Sequence, residues 1–346
     1  MSVSTAAPPA RPAGRRSPAA PRAAGLVALT VLLAAACLAS LCVGAESVSP
    51  ATVWSALWRP DGGDTALIVG LRVPRMLLGL LCGLALGLAG ALMQGLTRNP
   101  LADPGLLGVD SGAAAAIVLA IAVLGVSTPG GYVWFAVAGA AAASVLVYLL
   151  GSAGRAATPE RTVLAGAAVS AVLRAVVLAV LVLDAETFDA FRSWDVGSLA
   201  GRDAAVLADT APLMLAGAVL ALSLTRPLNV LALGDDTGRA LGARLTRVRI
   251  GGIVAITLLC GAATAAVGPI GFVGLVVPHA ARLLVGADQR WVLPYAALLA
   301  PVLLLLADVV GRLALYPSEL QVGLVTAFLG APVFIALCRR RRIGSL

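Results

Sequence analysis

The chain has 346 residues, of which 60% are hydrophobic and 12% charged, and its formal net charge is +8. A mean hydropathy of +0.98 excludes a single water-soluble core, and the sparse charge argues against a nucleic-acid-binding protein despite the basic balance. Roughly 20 apolar residues cross a hydrocarbon core about 30 Å thick, so this composition is enough for about ten helices. The expectation is an all-α, polytopic membrane protein.

Residues 1–22 are rich in Pro, Ala and Arg (Arg11, Arg15, Arg16 and Arg22), a composition that cannot bury a core and reads as a disordered tail. The first apolar run covers 24–43. Val43-Gly44-Ala45 resembles a signal cleavage site, but the run is long for a signal h-region, and an uncleaved span is the preferred reading. Further runs follow at 76–96, 106–126, 132–150, 163–183, 205–224, 250–267, 272–285, 292–310 and 322–337, making ten. They define one spanning domain over 23–340, with its longest connection at 226–249 and a short tail at 341–346. Gly, Pro and Asp interrupt the approaches to the third and eighth runs. Non-helical backbone at membrane depth persists only where protein covers it or where it lines a water-filled cavity, so these two runs are expected beside a pathway or a neighbouring helix.

Ten spans put both termini on one side of the membrane. The chain has no Lys, and its 25 basic residues are all Arg. With the N-terminus inside, 18 fall on the inner side: the four of the tail, Arg98, Arg155, Arg161, Arg226, Arg239, Arg244, Arg247, Arg249, Arg282, Arg290 and Arg339 to Arg342. Six fall outside (Arg59, Arg72, Arg75, Arg192, Arg202 and Arg312), and Arg174 lies within the fifth run. The positive-inside rule then makes both termini cytoplasmic. Trp54, Trp58, Trp134, Trp194 and Trp291 fall in loops or at span ends, where an aromatic belt would sit.

Gly79, Gly83 and Gly87 recur every four residues, which puts them on one helix face and lets another backbone approach closely, within the protomer or at a dimer seam. Gly268-Pro269-Ile270-Gly271 and Gly330-Ala331-Pro332 are expected to break or loosen the backbone near span ends. The five cysteines lie in or beside apolar runs without paired spacing, which indicates neither a disulfide framework nor a metal site. His279 has no second His or Cys beside it and reads as a packed residue near a helix end.

No catalytic constellation emerges, and no GxxxxGK[ST] phosphate loop is present. Asp235 and Asp236 would suit magnesium-diphosphate chemistry, as in an intramembrane prenyl transferase, but no second acidic cluster faces them on another inner loop. Either aspartate can instead cap a short helix through 237–241, with Gly242 in the left-handed position that ends it. On the outer side Arg72, Arg75 and Arg312 run against the charge trend. Their planar donors suit the carboxylates of an acidic partner, or an ion pair with Asp308 or Glu319. An ion-coupled secondary transporter would need carboxylates at mid-membrane depth, whereas Asp110 and Asp209 lie near the ends of their runs and Arg174 is the one charge deep within a run.

Five long stretches resemble, in order and without gaps, the permease family of ABC importers for iron-siderophores, haem and cobalamin. They are GALMQGLTRNPLADPGLLGVDSGA (90–113), RVPR (72–75), LNVLALGDDTGRALG (228–242), GPIGFVGLVVPHAARLL (268–284) and GLVTAFLGAPVFIALCRR (323–340). The resemblance implies a ten-span protomer paired with a second permease copy or paralogue. Two ABC ATPase subunits, which carry the ATP and Mg, would drive it from the cytoplasm; the permease itself would be no enzyme and bind no cofactor. The family's coupling segment matches Leu233, Gly234, Asp235, Asp236, Thr237, Arg239, Leu241 and Gly242, and its arginines that receive an extracytoplasmic substrate-binding protein match Arg72, Arg75 and Arg312. Ser193-Trp194-Asp195-Val196-Gly197-Ser198-Leu199 is similar to the family's short segment after the fifth span. The resemblance favours ferric-siderophore cargo, with haem and cobalamin as alternatives. Membrane lipid is the remaining expected partner.

Overall fold

The computed structural model describes residues 19–44, 47–58, 68–126, 128–152, 159–242, 244–315 and 318–339. The arginines at 11, 15, 16, 59, 155 and 340–342, most of the N-terminal tail and the C-terminal tail lie outside these residues. The described chain is helical throughout: α1 (Ala19–Cys42), α2 (Pro50–Trp58), a π turn (Ile68–Arg72), α3 (Val73–Thr97), a 3-10 turn (Pro104–Leu107), α4 (Val109–Leu124), α5 (Pro129–Ser152), α6 (Pro159–Leu183) and α7 (Ala185–Asp195). Then come α8 (Ala204–Ser223), α9 (Thr225–Ala232), α10 (Asp235–Ala240), α11 (Leu245–Val267), α12 (Val273–Val285), α13 (Gln289–Ala314) and α14 (Val322–Arg339). The first helix starts four residues inside the stretch read as a tail.

Among the described residues, seven helices are long and apolar enough to cross a membrane: α1, α3 with its π turn, α5, α6, α8, α11 and α13. Three shorter apolar helices, Val109–Leu124, Val273–Val285 and Val322–Ala336, bring the total to ten. Two of the three are the runs whose approaches were interrupted in sequence.

Their shortness has a structural cause. Gly252 on α11 lies against Leu96 near the end of α3, while Thr264, 12 residues further along the same helix, donates to Asp110 at the start of α4. At 1.5 Å per residue, that places the start of α4 about 18 Å back into the bundle from the end of α3. The chain turns back through an Asp103 side chain that accepts from the Gly105 amide at 2.8 Å, and Gly108 at φ 73° joins the 3-10 turn to α4. Asp110 therefore lies well inside the bundle relative to the end of α3, beside the last turn of α11. The Gly268–Gly271 stretch likewise separates α11 from α12, and Gln94 of α3 donates to the Gly274 and Leu275 carbonyls of α12 at 3.3 and 3.2 Å. Ala102, Pro104 and Leu107 of the first approach and Gly268 and Ile270 of the second are buried by protein, while Pro269 lines a cavity, the two settings in which non-helical backbone persists at membrane depth.

Three helices form the centre. The apolar windows of α3, α11 and α13 are 72%, 67% and 67% buried, against 17% for α6 and 22% for α1. The glycine stripe of α3 settles onto α13 within the protomer: a Cβ at Gly83 would lie 2.5 Å from the Pro301 Cα, and Gly79 and Gly87 face Leu305 and Ala296. Such close backbone approach is the chief source of helix association in lipid, where no hydrophobic driving force separates helix from tail. Two expectations fail. Gly330-Ala331-Pro332 stays inside α14, its missing amide tolerated within the apolar helix, and Gly330 leaves room for the Phe272 ring. Trp194 belongs to no interfacial belt, because α7 folds it fully into the core beside Phe191, with ring centroids 5.4 Å apart. Trp54 and Trp58 on α2 are exposed, as a belt requires.

Candidate functional site

The stretch expected to be a coupling segment forms two short helices at the end of the bundle where α3 stops and α11 begins. Gly234, at φ 98° and ψ 158°, is the N-cap of α10, so neither aspartate caps it as sequence had indicated. Both occupy the first turn, where their charge favours the positive end of the helix dipole. The reason lies in the partners of Asp235: Arg249 of α11 reaches its Oδ2 at 2.7 Å and Arg98, just past α3, reaches its Oδ1 at 3.3 Å. Gly242 has φ 79°, the left-handed conformation expected after the helix. Asp236 is the opposite of its neighbour, with 99% of its side chain exposed and a contact to Arg239 at 3.1 Å within its own helix. Leu233 and Leu241 stand exposed on either side of α10, and Thr237 and Arg239 are exposed between them. Solvated apolar tips around a charged turn suit a protein partner better than water.

Sequence reasoning missed what anchors this segment. Asn229 of α9 donates to Asp288 at 2.6 Å and accepts from the Gln289 amide at 2.9 Å, which ties α9 to the start of α13. Arg98 holds a left-handed φ of 52°, unusual without glycine. The only sequence signal for it was its place at the end of a long apolar run. Deeper along the same side, Arg282 of α12 donates to the buried Gln94 of α3.

At the opposite end the three candidate docking arginines are gathered within one network. Arg312, 4% exposed, donates to the Ser40 and Val43 carbonyls at 2.7 and 2.8 Å and pairs with Asp308. Arg72, also buried, donates to the Leu41 carbonyl at 2.8 Å. These carbonyls belong to the last turn of α1 and its first following residue, which has no further helix to satisfy it. Arg75 bridges Asp308 and Glu319, both at 2.8 Å, and is the most exposed of the three arginines. The ion pairs with Asp308 and Glu319 considered from sequence are both present.

Between these ends lies a cavity of about 390 Å³ whose wall includes Asp110 and Ser111 of α4, Arg174 and Leu178 of α6, and Asp195 at the end of α7. Asp110 accepts from the Thr264 hydroxyl at 2.8 Å. Arg174, which sequence could not pair, thus faces two carboxylates from different elements across one space.

An all-helical bundle of apolar spans, with two re-entrant turns, a charged cavity and a short capped turn projecting from one end, defines a polytopic transport protein. A family profile described as the FecCD transport family matches residues 32–340, and the chain belongs to that family. It is 48% identical over 332 residues to the ferric enterobactin transport system permease protein FepD of Escherichia coli (strain K12), covering 95% of this chain and 99% of that protein. The Fe(3+)-citrate import system permease protein YfmD of Bacillus subtilis (strain 168) is 40% identical over 304 residues, covering 88% and 90%. A solved structure described as a metal-chelate type ABC transporter in an inward-facing conformation superposes with a TM-score of 0.81 at 30% identity, covering 91% of this chain and 99% of its own. The chain is a multi-pass membrane permease of the metal-chelate ABC importer type.

Proposed function

We propose that this permease carries ferric-siderophore complexes inward across the cell membrane, driven by ATP bound with Mg on separate ABC ATPase subunits. The two relatives named for ferric enterobactin and ferric citrate support this cargo. The observation that carries the ATP-driven reading is the α10 turn, with Leu233, Leu241, Asp236 and Arg239 exposed around a helix anchored to the centre of the bundle. We place both termini in the cytoplasm, on the arginine asymmetry, and expect a second permease copy or paralogue to complete the pathway beside the exposed face of α6. ATP and the loaded binding protein must each favour a different permease state, since a ligand shifts an equilibrium only by its differential affinity. Vesicles holding the assembled complex should accumulate labelled ferric siderophore in preference to cobalamin or haem. Equal or greater uptake of cobalamin would overturn the cargo.

The opposite end is proposed as the docking surface for an extracytoplasmic binding protein. Arg75, with an exposed edge toward Glu319, is the residue that meets the partner directly, while Arg72 and Arg312 hold that edge in place. Arg75→Gln, in which Asp308 keeps Arg312, should weaken capture of the binding protein while lowering the melting temperature less than loss of the more deeply buried Arg312 does. Unchanged capture would sink the assignment.

Asp110 and Arg174 in one cavity wall favour one second reading, an ion-coupled carrier, because a carboxylate within the bundle facing a cation is what such a carrier uses. Uptake that persists in ATP-depleted vesicles and follows an ion gradient would select it over ATP drive.

A further inference from the structure

Asp235 and Asp236 are adjacent and chemically identical, and both fall in the stretch matched to the coupling segment. Their surroundings differ in kind. Asp236 points away from the protein and, among the described residues, pairs with Arg239 of its own helix. Asp235 is turned inward, with one oxygen on Arg98 and the other on Arg249, and Arg239 stands 4.0 Å away.

We propose that Asp235 is a positioning residue that transmits movement of α10 into the bundle, while contact with the ATPase falls to Asp236, Leu233 and Leu241. This rests on the coupling reading of α10 given above. The geometry supplies the route. Arg98 ends α3 and Arg249 lies in the second turn of α11, so one carboxylate holds α10 to two of the three central helices. Asn229, on the helix before it, holds the third through Asp288. Displacing α10 therefore pulls on α3, α11 and α13 together. From Arg249 to Thr264 is 15 residues of unbroken α11, about 22 Å, and Thr264 is the residue whose hydroxyl meets Asp110 in the cavity wall. A rigid helix thus joins the carboxylate at the coupling turn to the carboxylate at the cavity. Arg98 adds a second feature: its left-handed backbone, with the Gly234 turn beside its guanidinium, fits a junction held by its partner more than by its own propensity.

The test uses the complete complex with its ATPase and binding protein in vesicles, comparing Asp235→Asn, Asp236→Asn, Arg249→Gln and the double variant Asp235→Asn/Arg249→Gln. Capture of the ATPase, uptake, and stimulation of ATP hydrolysis by loaded binding protein are read for each, with melting temperature recorded alongside. Asp235→Asn should retain the ATPase but lose uptake and stimulated hydrolysis by about tenfold. Asp236→Asn should weaken ATPase capture first. The double variant should be no worse than the worse single one, because the two groups act as a pair. Asp235→Glu, which keeps the charge, should restore part of the uptake. Loss of the ATPase from Asp235→Asn, full uptake in that variant, or additive losses in the double variant would each overturn the proposal. Failure of the unaltered permease to capture any ATPase would instead overturn the coupling reading, and this inference with it.

Discussion

The two ends of the bundle use the same residue type for opposite purposes. At one, Arg72, Arg75 and Arg312 direct their donors inward, onto the open carbonyls at the end of α1 and onto Asp308, itself 2% exposed. At the other, Arg98 and Arg249 share the carboxylate of Asp235, which is about a quarter exposed and sits in a six-residue helix that little else covers. The first arrangement is closed, with each charge answered inside the protomer. The second we read as hinged, with its charges answered across the short helix that is proposed above to move. A buried ion pair is weak evidence for net stability, yet breaking one is costly because an uncompensated charge remains. The closed end should therefore respond to mutation as a fold does, and the hinged end as a transmission does.

The harshest way to break that comparison is Arg312→Leu. Asp308 keeps only Arg75, and the Ser40 and Val43 carbonyls lose their donor. A loss of about 3–5 kcal/mol is expected, seen as a lower melting temperature in detergent and poor recovery of folded protein. Arg312→Leu combined with Asp308→Leu should recover part of the loss, since the buried carboxylate is then removed with its nearest cation and Arg75 keeps Glu319. A single variant that melts like the parent would show that these buried contacts do not hold this end of the fold together.

Next in size is the α3–α13 seam. A Cβ at Gly83 meets backbone, 2.5 Å from the Pro301 Cα and 2.7 Å from its nitrogen, which cannot rotate aside. Gly83→Ala should cost about 1–3 kcal/mol. At Gly79 the nearest atom is the end of the Leu305 side chain, at 2.7 Å, so Gly79→Ala should cost clearly less. The two melting temperatures, measured side by side, separate backbone crowding from side-chain crowding.

These sites also show what was readable in the sequence. The glycine stripe was legible because a four-residue period is a property of one helix, and the ten apolar runs were legible because a span is defined by length and composition alone. The partner of the stripe was not, and neither were those of Asp235: Arg98 lies 137 residues away along the chain and Arg249 lies 14 away. A local capping rule assigned that carboxylate to its own helix, and a tertiary ion pair took it instead. Trp194 failed in the same way. Its position after a span fitted an aromatic belt, but α7 folds back and buries it. The partners of Asp110, Thr264 and the cavity wall it shares with Arg174, were hidden because an apolar run records residues and not the direction in which the chain turns back.

Arg174→Gln probes the space between the two ends. Arg174 is exposed in the single protomer and faces Asp110 and Asp195 across the cavity. Removing its charge should leave the melting temperature nearly unchanged while uptake falls about fivefold to tenfold. An unchanged uptake would mean that the cavity is not part of the route and that the hinged end acts on some other surface.

The smallest effect is expected at the turn between α6 and α7, where a surface carboxylate does a local task. Asp184 caps α7 by accepting from the Glu186 amide at 3.1 Å and the Thr187 hydroxyl at 2.5 Å. The Thr187 hydroxyl, helped by these amides, holds the Asp184 carboxyl below its ordinary value. Because the folded value is the lower one, the stabilisation is present above the unfolded value and fades as the pH falls through the folded one. Asp184→Ala should thus speed amide exchange in the first turn of α7 at neutral pH. The difference from the parent should shrink once both carry an uncharged group there, at a pH below the ordinary range of an aspartate. A difference that persists undiminished in acid would assign the effect to lost packing instead of the charged cap. If exchange instead spread through Trp194 into the core, α7 would belong with the closed end of the molecule and not with its surface.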